Sequence, residues 1–365
     1  MKIDRIHFYT RNAAKTRDWF VRHVGFKAMQ RGLGGFPHKR LHQEAIGSYS
    51  DAQTHTELIA LNSAYFLISS PLNDDSPVSR YLANHPEGIA DIAFRVKDLN
   101  LILDRADNLG RDILQDVRLE ESVRGNFKVA KITGWQDLQH TLIETDDFDY
   151  LPSIQQNRIE TTKSSTIADI DHVVLNVDEG KLESAVRLYQ DLFDFQVQQN
   201  FEIQTSRSGL TSQALIDEGG VQFNINQPTT ANSQIQEFID LNRGSGIQHL
   251  ALRSHNLIAD VAQMRQNGLK FLDVPKAYYN DLLALSSLST AERKAVIEQQ
   301  ILIDGDRHTP QSLLMQIFTK PVLEQPTFFL EFIERRQSAR GFGQGNFKAL
   351  FEAVERESLN RHTIV

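Results

Sequence analysis

Residues 246–257 read Gly246-Ile247-Gln248-His249-Leu250-Ala251-Leu252-Arg253-Ser254-His255-Asn256-Leu257. Residues 88–99 read Gly88-Ile89-Ala90-Asp91-Ile92-Ala93-Phe94-Arg95-Val96-Lys97-Asp98-Leu99. Each is a β-type apolar run followed by a helical pattern that stops at a glycine. The first helix carries Leu99, Leu101, Ile102, Ala106 and Leu109 before Gly110; the second carries Leu257, Ile258, Val261 and Met264 before Gly268. Three-to-four-residue apolar spacing and a terminal glycine are helix signals. Ile3-Asp4-Arg5-Ile6 matches Ile170-Asp171-His172-Val173 in the same way, and an amphipathic helix follows each, Ala13 to Val24 and Lys181 to Phe193. The chain repeats itself, and a repeat dictates the fold.

Working outward, the repeat divides the chain into four strand–helix–strands modules. The first spans about residues 1–70 and ends in Glu57–Leu61 and Tyr65–Ile68; the second spans 88–150. The third runs from Ile167 to Asn226, and the fourth from Gly246 to Arg335. The polar stretch Ser153–Ser165 reads as a linker, which gives domains at 1–152 and 166–365. The fourth module carries an extra helical insertion, Pro275–Gln300, patterned by Leu282, Leu283, Leu285, Ala295 and Val296. A terminal helix with Ala349, Leu350, Ala353 and Val354 on its apolar side follows a glycine-rich hinge. Paired modules without long βαβ alternation predict an α+β class, each domain an open sheet curled around a cavity.

Composition narrows the function. At 365 residues with 40% hydrophobic residues, the chain can bury two cores, and its net charge of −8 argues against a nucleic-acid partner. No apolar run approaches the ~20 residues of a membrane helix, and the N-terminus shows no secretory leader. Cytoplasmic residence is the expectation. The absence of cysteine removes disulfides and thiolate chemistry, so a transition metal must be held by His, Asp or Glu.

Three such residues sit inside apolar β runs: His172 in 170–175, His249 in 246–252 and Glu331 in 328–333. Burying an unpaired polar group costs roughly 2–7 kcal/mol. Any one of the three alone reads as a satisfied core residue. Together they become tolerable if they share a divalent cation, and two His plus one carboxylate is the facial set of non-haem Fe(II) oxygenases. In the repeat alignment His172 faces Arg5, His249 faces Asp91, and Glu331 faces Glu144. The first half is therefore expected to lack the metal and to hold an Arg5–Asp91 salt bridge in its place.

Asp171-His172-Val173-Val174, Ser233–Phe238, Gly246–His249, Gln316–Pro321, Phe329–Glu331 and Gly341–Phe351 together resemble the 4-hydroxyphenylpyruvate dioxygenase family of the vicinal-oxygen-chelate superfamily. The likeness is strong from Ile170 to about Glu357 and weaker over 1–165. It implies two tandem vicinal-oxygen-chelate domains with a C-terminal lid helix, the first domain inactive. It implies one Fe(2+) per chain on His172, His249 and Glu331, and conversion of 4-hydroxyphenylpyruvate and O2 to homogentisate and CO2. That reaction serves tyrosine catabolism or prenylquinone supply. Gln316, Phe318 and Phe347 match its catalytic groups; Ser212, Asn226, Gln234, Gln248, Phe329 and Phe342 match its substrate contacts. The partners implied are a 2-oxo acid and O2, with no membrane and a homo-oligomer, dimer or tetramer, left open. One departure is Asn224, where the family usually has proline.

Strand alternation puts Phe329 beside Glu331 and Gln316 beside Phe318, but sets Gln248 opposite His249, so Gln248 reaches the site only if its strand bends. Three rivals remain: a 4-hydroxymandelate synthase acting on the same substrate, an extradiol catechol dioxygenase, and a ligand-binding module without chemistry.

Overall fold

The computed structural model describes residues 1–29, 49–50, 52–122, 125–145, 165–205, 208–280, 287–305 and 312–337. Beyond these it describes positions 339, 341, 343, 345, 346, 349, 353 and 354. The first half orders β1 (Lys2–Tyr9), α1 (Ala13–His23), β2 (Lys27–Ala28), β3 (Tyr49–Ser50), β4 (Thr54–Leu61) and β5 (Ala64–Pro71). It continues through α2 (Pro77–Asn84), β6 (Gly88–Arg95), α3 (Leu99–Asn108), β7 (Ile113–Ser122), β8 (Gly125–Thr133) and β9 (Gln139–Glu144). The second half orders β10 (Ile167–Asn176), α4 (Leu182–Phe193), β11 (Gln196–Gln204), β12 (Gly209–Ile216) and β13 (Gln222–Pro228). Then come α5 (Gln234–Asn242), β14 (Gly246–Ser254), α6 (Leu257–Gln266), α7 (Thr290–Gln299), β15 (Leu302–Gly305), β16 (Leu313–Phe318) and β17 (Phe329–Arg336).

Local chemistry sets the helix limits. Asn12, Asp98 and Asn256 cap α1, α3 and α6 by accepting from a backbone N–H in the first turn. Gly110 and Gly268, at φ +64° and +86°, take the left-handed turn that ends α3 and α6. In the insertion, Ser289 and Glu292 form a capping box at α7. Its Leu282, Leu283 and Leu285, like most of the Ser153–Ser165 linker, lie outside the described residues.

The two sheets carry the duplication. One runs β2-β4-β5-β1-β6-β9-β8-β7, with β3 against β4; the other runs β11-β12-β13-β10-β14-β17-β16-β15. The orders match strand for strand, with parallel pairs at β1–β5, β6–β9, β10–β13 and β14–β17. This is the α+β tandem expected from the repeat. One face of the central strands, with Val173, Leu250, Leu252, Leu330 and Phe332, packs into a core shared with the first half. The opposite face of β10, β14 and β17 carries the candidate ligands.

Register corrects two details of the repeat. His172, Ala251 and Glu331 lie in one row across β10, β14 and β17. The equivalent row is Arg5, Ala93 and Thr141, since Arg5 faces Ala93 and Phe94 faces Leu142. Thr141, not Glu144, therefore stands where Glu331 does. Glu144 matches Glu334: each accepts from the first amide of the following helix, Leu99 at 2.8 Å and Leu257 at 2.7 Å. The expected Arg5–Asp91 bridge is also replaced. Asp91 pairs with Lys131 at 2.9 Å and accepts from Thr141, while Arg5 pairs with Asp4. The lysine comes from β8, one strand beyond the β9 that separates it from β6.

Candidate metal centre

Alternation brings the trio together. Partners in register share a sheet face, and His249 lies two residues before Ala251 on β14, so it shares that face as well. His172 Nε2 is 3.2 Å and His249 Nε2 3.7 Å from Glu331 Oε2. One donor atom from each of the three lies within 4.8 Å of the others, and all three residues are buried. The single methyl of Ala251, between His172 and Glu331 in the row, leaves room above it.

Each donor is held differently. A β-bulge at Asp171 interrupts the pairing of β10 with β14, and Asp171 accepts from His172 Nδ1 at 3.0 Å. That bond turns Nε2 toward Glu331, with a proton between them in the metal-free protein and a lone pair once that proton leaves. Asp171 is itself gripped by Arg335 through Nε (2.9 Å) and Nη2 (2.7 Å), and by Arg253 Nε at 3.0 Å. The His249 ring lies flat on Phe329, with centroids 4.6 Å apart and planes at 16°, while Phe318 meets it edge-on. Its Nδ1 is buried with no hydrogen-bond partner among the described residues, so stacking sets that ring. Glu331 Oε1 accepts from Gln316 Nε2 at 2.9 Å, and Gln316 Oε1 accepts from Asn346 Nδ2 at 2.8 Å.

Electrostatics place one proton on this cluster. Burial disfavours charge on His172, but the carboxylates of Glu331 and Asp171 override it and raise the ring to about 9. Burial, and then the charge on His172, hold His249 well below its usual value. Burial would raise the Asp171 carboxyl, but the Arg335 and His172 hydrogen bonds keep it well below the ordinary range. Two imidazoles and a carboxylate sharing one exchangeable proton in an apolar site could hold a divalent cation, which would take the proton's place.

The remaining expected residues fall as follows. Phe318, Phe329 and Gln316 lie on the ligand face. Ser212 and Asn226 are cross-strand partners, and Asn226 Nδ2 donates to Asn176 Oδ1 at 3.1 Å. Gln248 sits at a bulge where Val174 pairs with His249 but Leu175 with Ile247, so its strand does bend. Gln248 and Gln234 line a cleft with Phe329, Leu272, Thr319 and Val354. Phe342 and Phe347, with most of the segment expected to form a lid helix, lie outside the described residues. The sequence reading missed Asn176, Arg253, Arg335 and the role of Asp171. Asn176 Nδ2 and Asn224 Oδ1 are buried on the His172 face without partners among the described residues. Its place four residues after His172 on β10, two periods of the strand alternation, was the available signal for Asn176.

Gly343 tests the Gln316 support. A Cβ there would lie 1.9 Å from Gln316 Oε1, at φ +75°. Gly343→Ala should cost about 1–2 kcal/mol in backbone strain and push Gln316 off Glu331. Weaker metal binding, on the order of tenfold, is expected in calorimetric titration; an unchanged affinity refutes the Gln316 contact as a support.

Residues 169–285 match the Glyoxalase/Bleomycin resistance protein/Dioxygenase superfamily. The chain is 32% identical to a 4-hydroxyphenylpyruvate dioxygenase of Caenorhabditis elegans over 98% of its own length and 92% of the relative's. It is 31% identical to one from Dictyostelium discoideum, covering 98% of both. Among solved structures, a triple mutant of 4-hydroxymandelate synthase from Streptomyces coelicolor superposes with a TM-score of 0.80 at 26% identity, covering 98% of each chain. No helix among the described residues is long and apolar enough to cross a membrane.

Proposed function

The chain belongs to the 4-hydroxyphenylpyruvate dioxygenase family, and from that premise we propose an Fe(II) enzyme converting 4-hydroxyphenylpyruvate and O2 to homogentisate and CO2. The observation that carries this reading is the convergence of His172, His249 and Glu331 on one buried point. Bound Fe(II), one per chain, would supply 2-oxo-acid chelation and O2 activation. The catalytic unit is assigned to 166–365, and 1–152 to a domain without a metal site.

The protein's own tasks are orientation and dryness. Asp171 fixes the His172 tautomer, and Gln316 occupies the second oxygen of Glu331, which leaves Oε2 for the metal. Phe318 and Phe329 wall the ligands with aromatic surface and exclude water. Ser212, Asn226, Asn176 and Asn224 give the opposite wall polar groups that can orient a phenolic 2-oxo acid, and Gln234 and Gln248 line the cleft.

A second reading, hydroxymandelate formation from the same substrate, is favoured by Asn224, whose amide oxygen, without a partner among the described residues, makes the wall more polar than proline would. One experiment separates them. Fe(II)-loaded protein mixed anaerobically with 4-hydroxyphenylpyruvate should develop a visible charge-transfer band, absent in His249→Ala. Admission of O2 should then give homogentisate and CO2. Hydroxymandelate as the main product would replace the assignment, and a protein that holds no Fe(II) and consumes no O2 would be a binding module.

A further inference from the structure

The Arg335 guanidinium faces two ways. Its Nε and Nη2 clamp the Asp171 carboxylate, while Nη1 donates to the carbonyl of Gly341 at 2.7 Å and of Ala339 at 3.3 Å. Asp171 in turn accepts from His172 Nδ1. One planar side chain thus joins a candidate metal ligand to backbone that follows β17.

The repeat shows that this link belongs to the half that carries the trio. Asp4 sits at the same bulge as Asp171, and Arg95 donates to it at 2.9 Å as Arg253 does to Asp171. The aspartate and one arginine are therefore shared by both halves and serve the strands themselves. Ile143 pairs with Arg95 as Ile333 pairs with Arg253, which places Thr145 where Arg335 stands. The half without the trio lacks the second arginine. A second tether runs in parallel: Asn346 donates to Gln316, which donates to Glu331.

We propose that Arg335 is a positioning residue that couples the orientation of His172 to the backbone carbonyls of Ala339 and Gly341, so that metal affinity and the order of those two positions rise and fall together. A lysine could hold Asp171 or the carbonyls but lacks the fork that holds both. Coupling of this kind is reciprocal: the factor by which the segment strengthens the metal is the factor by which the metal protects the segment.

The inference rests on the reading of the trio as a metal centre, and the test separates the two. Co(II) affinity is measured by calorimetry, and amide hydrogen exchange of a peptide covering 337–346 is measured with and without Co(II). In the wild type, Co(II) should slow exchange in that peptide on the order of tenfold or more. Arg335→Met should weaken Co(II) binding roughly 10–100-fold and remove most of the metal-dependent protection, leaving what the Asn346 tether supplies. Arg335→Lys, which keeps the charge, should restore folding stability but not the affinity. Wild-type protein that fails to bind Co(II) sinks the metal centre and the coupling together. Binding with unchanged exchange in the wild type, or with affinity within about twofold of wild type in either variant, sinks the coupling alone. Should Arg335→Met not fold, the wild-type exchange and Arg335→Lys still decide.

Discussion

Glu331→Gln is expected to lower metal affinity by well over ~100-fold and to remove turnover, while the protein stays folded. Loss of a group that merely supports a ligand costs about 10–100-fold, and here the anionic ligand itself is neutralised. The replacement keeps volume and can still bond Gln316, so packing around β16 and β17 is preserved. Nor does it strand a buried charge. His172, no longer facing a carboxylate 3.2 Å from its Nε2, can give up its proton. Circular dichroism should therefore match the wild type, while Fe(II) titration and O2 uptake fail. A variant that binds Fe(II) within tenfold of wild type would show that the ion, if any, sits elsewhere.

Much of this arrangement could be read before any coordinates. Strand periodicity and the repeat located β1, β6, β10 and β14, and the glycine stops located the ends of α3 and α6, because these are local signals. The trio was legible because ionisable residues in apolar runs contradict their surroundings. What escaped was decided by register. Bulges at Asp171 and Gln248 change which residues share a face, and nothing in a period of two announces them. Hence Asp171 was read only as a motif residue, and Gln248 could be placed only conditionally. The three-residue error at Glu144 has the same origin: two glutamates, Glu331 and Glu334, compete for one counterpart, and only strand pairing separates the ligand from the helix-capping group. Arg335 escaped because its partners lie 164 residues upstream and in the backbone after β17.

Metal affinity should rise about tenfold per pH unit from pH 7 to about 9 and then level off. The cation replaces the proton that Glu331 and Asp171 hold on His172, whose ring titrates near 9. His249 contributes no proton in this range, since burial and the His172 charge keep it neutral. One proton released per metal gives a slope of one in log affinity against pH below that value, and zero above it. The stability of the metal-free protein follows the same group. A ring raised above its ordinary value of 6.5 stabilises the fold fully below that pH, and the contribution is lost as pH rises through about 9. The metal-loaded form carries no such proton, so the gap in Tm between loaded and metal-free protein should widen from pH 7 to 9. Chelator-buffered titrations and calorimetry at pH 7, 8 and 9 test both statements, and a flat affinity across that range would place the proton elsewhere. Asp171→Asn sharpens the test. It removes one of the two carboxylates that raise His172, so the bend in the affinity curve should move to lower pH, whereas a change in packing alone would lower affinity without moving the bend.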